Sequence, residues 1–353
     1  MPDFLVHTWS MLVDALASGL VRPALDWLPF GHLAGDPHDI AGGLLIALSQ
    51  LAIITFVFRP LESLMPAERW SDRRLTTVDR NLTLLMVLLL NPLFAFIMLT
   101  PVATLLGDGA TAAASTDTGT GGLLGLVPGI DQHPWLAVGI YYVIYDLIYY
   151  WMHRAQHVIP WWWAMHSMHH SQRQMSCWSN DRSCLLDGFL QSLIIAGLGL
   201  VLGVDATQFA LVGLLSELVQ NFSHANVQLG FGRVFGRLFV DPRFHRLHHM
   251  PVDAARPGLH NCNFGQVLSV WDNLFGTALY GEPTRPTGVG DPVVDADNGL
   301  GVIAMQWAAL KRFWGAVRCA EGWKIQEVAF EPGTYRPYRV KREGAEPEAA
   351  TLP

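Results

Sequence analysis

The chain has 353 residues, of which 51% are hydrophobic and 15% charged, with a formal net charge of −7. So low a charged fraction, with a positive mean hydropathy, points to a membrane rather than to a soluble globular protein; the acidic balance argues against nucleic acid as a partner, since a binder of phosphate backbones carries a basic excess. Cys177, Cys184, Cys262 and Cys319 form no C-x-x-C pair, so neither a disulfide framework nor a zinc knuckle is expected.

In chain order, Phe4 to Leu20 reads as an interfacial amphipathic helix with Trp9, Leu12, Val13, Leu16 and Leu20 on one side. The first basic residue is Arg22, so the basic start of a cleavable signal is missing and the segment is expected to be retained. Ile40 to Phe58 is an uncharged apolar run of bilayer-crossing length, and Leu82 to Leu106 is a second, kinked by Pro92 and Pro101. Pro134 to Trp151 is a third candidate; it carries Asp146, a carboxylate that must face protein or metal rather than lipid. Gly188 to Val204 and Ala206 to Leu218 read as a helical hairpin that crosses twice or dips in and returns.

Arginine sets the orientation, because short cytoplasmic loops retain the basic residues. The connection after the first span holds Arg59, Arg69, Arg73, Arg74 and Arg80, whereas Gly107 to Gln132 holds no basic residue. The first connection is therefore expected inside and the second outside, which brings His153 to Asp187 and His224 to His260 to the cytoplasmic face. The tail from Gly281 to Pro353 is rich in Pro and Gly, with an amphipathic stretch at Val302 to Val317 expected to lie on the membrane and a polar end expected to be partly disordered. The expected division is an N-terminal segment over 1–39, a membrane-embedded catalytic unit over 40–280 and a peripheral tail over 281–353.

Ten of the 14 histidines lie between His153 and His260. They are His153 and His157 in HRAQH, His166, His169 and His170 in HSMHH, His224 in NFSHAN, His245, His248 and His249 in HRLHHM, and His260 in HNCNFG. On a helix, positions i, i+3 and i+4 share a face, so H-x-x-x-H is expected to offer two imidazoles to one point and H-x-x-H-H three. So many groups titrating near pH 6.5 need something that favours their neutral forms, and bound metal does so. Imidazole suits zinc, iron, copper and nickel. Ten ligands exceed the four of a structural zinc but divide between two ions as about five each, leaving a position on each ion for water, dioxygen or substrate. Polytopic metal transport or metal binding is the competing class; it would place ionisable ligands near mid-bilayer, often in repeated halves, and no repeat is visible.

With these residues on the page, the chain resembles the fatty acid hydroxylase and sterol desaturase superfamily of integral-membrane non-haem di-iron enzymes. The motifs that carry the resemblance are YYWMHRAQH (Tyr149 to His157), WWWAMHSMHHS (Trp161 to Ser171), HANV (His224 to Val227), DPRFHRLHHM (Asp241 to Met250) and NFGQVLSVWDNLFGTAL (Asn263 to Leu279). The resemblance implies an all-α membrane bundle of about four spans, counting the short or re-entrant hairpin separately, under a cytosolic helical cap that holds two iron ions. It implies dioxygen as co-substrate, a membrane lipid as substrate, hydroxylation or desaturation as the reaction, and an external electron donor such as a ferredoxin, a cytochrome b5-like protein or a reductase. The expected location is integral and multi-pass in a bacterial inner membrane, with the metals on the cytoplasmic side. All ten histidines match family boxes or neighbouring positions. Many relatives carry Arg-x-His after the second box; here the place reads DRSC, keeping Arg182 without the histidine. Asn263 either supports a metal-bound water or makes a turn with Gly265. Asp146 is a further candidate beside the ligands, Tyr149 and Trp178 are candidates for the substrate pocket, and each of the three has core packing as its alternative. The tryptophans Trp161 to Trp163, with Trp151, Phe231 and Phe235, are expected to form an interfacial aromatic belt. No H-P-G-G haem motif is present, so no fused cytochrome b5 domain is expected.

Overall fold

The computed structural model describes residues 3–29, 31, 36–94, 122–204, 206–251 and 261–325. Among them all repeating structure is helical, and an isolated bridge pairs Pro66 with Val227. Helix α1 (Asp3–Leu16) runs on to Trp27 through a π-turn. It buries Ala17 and Val21 against Ala41 of the next helix and leaves Phe4, Trp9, Leu12 and Leu20 outside. The apolar stripe read in the sequence is thus divided: Val13 and Leu16 face protein and the others face outward.

Helix α2 (Pro37–Ile53) starts where Asp36 caps it, accepting from His38 N at 2.7 Å, with Pro37 in the first turn. A π-turn over Ile54–Phe58 joins it to Arg59–Leu64, giving one rod of 28 residues, about 42 Å at 1.5 Å per residue. Helix α3 (Arg74–Leu85) continues in the same way to Phe94, where the described part of the second apolar run stops. Helix α4 (Pro134–Val158) carries the third candidate span and the first histidine pair in one piece. Pro160 ends it and opens α5 (Pro160–His170). Helices α6 (Leu185–Leu202) and α7 (Ala206–Ser223) form the expected hairpin, α6 closing on Gly203 in the left-handed region at φ 73°. Helix α8 (Pro242–His248) is capped by Asp241, which accepts from Phe244 N at 2.9 Å. Short α9 (Val270–Phe275) and α10 (Val302–Val317) follow.

Two helices among the described residues, Pro37–Leu64 and Leu185–Leu202, are long and apolar enough to cross a membrane. They expose Phe56, Val57, Leu193 and Val201, as helices facing lipid do. Their neighbours α4 and α7 form, but the tyrosines and Asp146 of α4 and the polar residues of α7 lie along the interior.

At one end of the bundle the connections lock together. Glu62, buried at the foot of the α2 rod, accepts from Cys177 N at 2.7 Å and Asn226 N at 2.9 Å. Met65 O accepts from Gln228 N and Ala67 N donates to Asn226 O. The arginine-rich connection and the histidine-bearing loops therefore share one end, as the charge pattern predicts. Helix α10 is more than a peripheral strip. Its Met305 and Ala309 pack with Trp162, Met165 and Met168 of α5, and Arg312 pairs with Asp297 at 2.6 Å. Its other face leaves Ile303, Trp307 and Trp314 exposed.

Behind α5, Arg182 is completely buried and donates to Asp79 at 2.9 Å, to Ser171 Oγ and to Met168 O. Removing one member of a buried ion pair leaves the other charge uncompensated, at a cost of about 3–5 kcal/mol. Arg182→Met is expected to lower the thermal midpoint of the detergent-purified protein markedly, and adding Asp79→Asn should recover part of the loss; unchanged melting of the single variant would contradict this account.

Candidate metal centre

Nine of the ten predicted histidines lie among the described residues, and all nine converge; His260 lies outside the described residues. They form two groups. His153, His157, His166, His170 and His248 place ligand atoms within 4.8 Å of one another, and so do His169, His224, His245 and His249. The groups adjoin: the rings of His170 and His249 stack at 4.3 Å and those of His245 and His248 lie 5.3 Å apart.

The grouping revises the reading of H-x-x-H-H. Three imidazoles of one motif do not meet at one point. His166 and His170, spaced i and i+4, enter the first group while His169 enters the second; His245 and His249 enter the second while His248 enters the first. Residues i+3 and i+4 are about 100° apart around a helix and fall on opposite sides of residue i, so each motif serves both groups. One segment thus ties the two groups together, α5 in one case and α8 with the residue after it in the other.

Hydrogen bonds fix how the rings point. Nδ1 of His153 contacts Phe264 O at 2.8 Å, that of His224 contacts Gln220 O at 2.7 Å and that of His248 contacts Cys262 O at 2.7 Å. His169 Nδ1 lies 3.3 Å from Arg182 O, and His166 Nδ1 lies 3.1 Å from the Asp187 carboxylate. Partners of this kind set the tautomer and leave Nε2 as the ligand atom. Nε2 of His166 and of His170 is buried without a hydrogen-bond partner. In the second group Nε2 atoms face one another: His169 to His224 at 3.1 Å, His224 to His245 at 3.1 Å and His245 to His249 at 3.2 Å. Two nitrogens at right angles on one ion, each about 2.1 Å from it, would lie about 3.0 Å apart. Neutral imidazoles crowded nitrogen to nitrogen fit an ion better than they fit one another. The donor set, all imidazole, fits iron, zinc, copper or nickel.

Burial and the neighbouring rings keep these groups neutral. Desolvation, then the adjacent imidazoles, holds His169, His170, His245 and His249 well below the ordinary histidine range. Desolvation lowers His224 to about 4.

Several residues that surround the groups were not singled out in the sequence. Asp187, fully buried at the head of α6, accepts from Gln156 at 2.8 Å and Trp162 at 2.7 Å besides orienting His166. Its signal was a lone carboxylate opening an apolar run. Phe264 stands over His157 at 5.2 Å and His248 at 5.6 Å, and Trp163 packs on His157 at 5.0 Å and His170 at 5.3 Å. Trp163 is therefore a wall of the site, and Trp162, buried against Asp187 and the α10 side chains, lies inside with it rather than in an aromatic belt. Trp151 and Phe235 remain on the exterior.

The other candidates fall as follows. Both oxygens of Asp146 are engaged by Val267 N and Leu268 N at 3.0 Å and Trp271 Nε1 at 2.9 Å, so it holds the segment that follows Phe264. Asn263 is left-handed at φ 58° and uses its amide on Phe244 O and on both backbone atoms of Leu279, so its side chain ties loops together. Arg182 touches the site through its carbonyl. Tyr149 lines a cavity of about 1240 Å³ that reaches His153, His166, His169, His224 and His245. Trp178 packs instead with Ala47, Leu51 and Val87. From Asp39 to Gln50 the cavity follows α2 for roughly 16 Å.

Residues 138–277 match the fatty acid hydroxylase family model. That segment, 140 of the 353 residues, carries the chain's similarity to the fatty acid hydroxylase family. The chain is 30% identical over 149 residues to an ornithine lipid hydroxylase of Rhizobium tropici, covering 41% of this chain and 42% of the relative. It is 28% identical over 170 residues to an alkylglycerol monooxygenase of Caenorhabditis elegans, covering 47% and 31%, and 25% identical over 156 residues to a sterol desaturase of Gibberella zeae, covering 43% and 46%. The aligned part thus spans less than half of each of these relatives. No solved structure matches the chain. The family segment holds α4 through α9, and so all nine described histidines.

Two expectations follow. Asp187→Asn keeps the shape but weakens the hold on His166, and should lower metal affinity about 10–100-fold, measured by competition with a chelator; equal affinity would remove Asp187 from the site. In the metal-free protein the histidines stay neutral in the fold while the unfolded chain takes up protons below pH 6.5. Stability is therefore full above that pH and should fall by about 1.4 kcal/mol per pH unit for each such group as pH drops towards 4, read from thermal melts after chelation.

Proposed function

We propose that the protein is a multi-pass membrane oxygenase in which two iron ions, held by His153, His157, His166, His170 and His248 and by His169, His224, His245 and His249, with His260 as a tenth ligand by its place in the sequence, act on a lipid. The observation that carries the reading is the pair of adjoining all-imidazole groups at one end of a cavity that runs along a helix able to cross a membrane. When bound, such a pair of ions would supply dioxygen-dependent hydroxylation or desaturation of an unactivated C–H bond, with electrons from an external donor: a ferredoxin, a cytochrome b5-like protein or a reductase.

The chain's own residues do the rest. The carbonyls of Phe264, Cys262, Gln220 and Arg182 and the Asp187 carboxylate aim the rings. Asp146 and Asn263 keep the Phe264 segment in place, and Arg182 braces α5 through Asp79. Trp163 and Phe264 exclude water from the first group. The cavity admits an apolar chain from the bilayer and presents one of its carbons to the histidines, Tyr149 forming part of the wall. The names of the relatives make an ornithine lipid, an alkylglycerol or a sterol the first substrates to try. The unit over 40–280 is the catalytic one, with 1–39 and 281–353 as flanking segments. The bundle crosses about four times in a bacterial inner membrane, and the histidines lie on the cytoplasmic side.

The test is to purify the protein with ferrous iron, count metal per chain, and measure oxygen uptake with a reducing system and each lipid class. About two irons per chain are expected, with oxygen uptake matched by an oxidised lipid in the extract. His170→Ala and His245→Ala should each lose about one iron and the activity. A protein that carries metal across vesicles and consumes no oxygen would be a transporter instead.

A further inference from the structure

Along α2 the cavity wall is apolar from Ile40 to Ala47, with Asp36 and Asp39 at the far end and Gln50 beyond, and it is polar again at the histidine end. There its wall includes Asn180, Asp181, Glu217 and Gln220. Asn180 donates to Glu217 Oε2 at 2.8 Å, Gln220 Nε2 approaches Glu217 Oε1 at 3.5 Å, and Gln220 Oε1 accepts from Tyr149 at 2.8 Å. Asp181, more than nine-tenths buried, keeps Oδ2 without a hydrogen-bond partner. The hydroxyl of Tyr141, fully buried two turns further along α4, is likewise without one and lines the same cavity. Neither carboxylate has an ion-pair partner among the described residues: Arg182, next in sequence to Asp181, is taken by Asp79. Two acidic groups this close and this dry are costly without donors. They have no part in aiming the histidine rings, whose partners are other residues.

Their place in the fold relates them to the chemistry. Glu217 is seven residues before His224 on α7, about 10 Å along the axis, and Asp181 precedes the residue whose carbonyl holds His169. The acceptors thus sit beside the histidine groups, while the long apolar part of the cavity extends away from them.

We propose that Asp181 and Glu217, steadied by Asn180, recognise a hydrogen-bond donor on the lipid, a hydroxyl or an ammonium, and so direct oxidation to a carbon near the polar end of the molecule. The inference rests on the oxygenase reading and narrows its substrate to lipids with a donor within about 10 Å of the reacting carbon. A free fatty acid, which would set a third acidic group against this buried acidic pair in place of a donor, is disfavoured.

Binding tests this without turnover. Wild type, Glu217→Gln and Asp181→Asn, each with its iron content measured, are titrated in detergent with hexadecylamine, hexadecan-1-ol and hexadecanoic acid. Wild type should bind the amine or the alcohol at least about tenfold more tightly than the acid. A preference for the amine identifies an ammonium, and equal or better binding of the alcohol identifies a hydroxyl. Both variants should lose about tenfold for the favoured probe while keeping wild-type iron. Acid binding as tight as the better of the amine and the alcohol, no binding of any probe, or variants that keep the wild-type ranking would overturn the proposal. Loss of the oxygenase reading would appear separately, as absent iron or absent oxygen uptake in the wild type.

Discussion

The structure depends on keeping nine imidazoles neutral, close together and out of water. Protonated, they would repel one another across ring separations of 4.3–5.5 Å; neutral and without metal, the second group sets Nε2 against Nε2 at 3.1–3.2 Å. Neither state satisfies a packed cluster, and a bound cation satisfies it at once. Much of the surrounding architecture follows from this. Four separate segments must end at one place, and the acceptors for Nδ1 come mostly from other segments, residues 262–264 and 182–187, with only His224 using a carbonyl of its own helix. The acceptors are mostly backbone carbonyls, which keep a fixed partial charge and do not titrate.

The clamps that hold those segments are buried carboxylates set against backbone amides. Glu62 fastens the Cys177 and Asn226 loops to the foot of α2. Asp146 fastens residues 267–271 to α4, and Asp272 receives Phe264 N and Gly265 N at 2.8 and 2.7 Å. Asp146 and Asp272 pin their loops through N–H donors in this way, whereas Glu62 is also paired with Arg59 at 3.4 Å.

How much of this was legible in the sequence follows from what kind of signal each feature leaves. Histidine is scarce and its spacing on a helix is geometric, so the ligand boxes and their number stood out. The division of each H-x-x-H-H between two groups did not, because the 100° between i+3 and i+4 decides nothing until the partner helices are placed. Trp162 and Trp163 read as membrane anchors because tryptophan suits both an interface and a ring-lined pocket. The packing of α10 on α5 was hidden because both its faces are apolar, and a one-dimensional pattern does not say which is covered. Asp187 and Glu217 looked like isolated charges in apolar runs; their meaning lies in Trp162, His166 and Asn180, which are distant in sequence.

The two groups are unequal in their access to the cavity, and this bears on where a substrate can approach. His169, His224 and His245, three of the second group, line it, against His153 and His166 of the five in the first. The first group is closed by Trp163 on one side and Phe264 on the other. The second group therefore presents most of the histidine side chains that face the cavity, on the side of α7. Glu217 and Gln220 lie on that same helix before His224, so the polar wall and the accessible ligands form one continuous surface. A lipid carbon brought along α2 would meet this surface first, and the buried first group would be reached only through its neighbour.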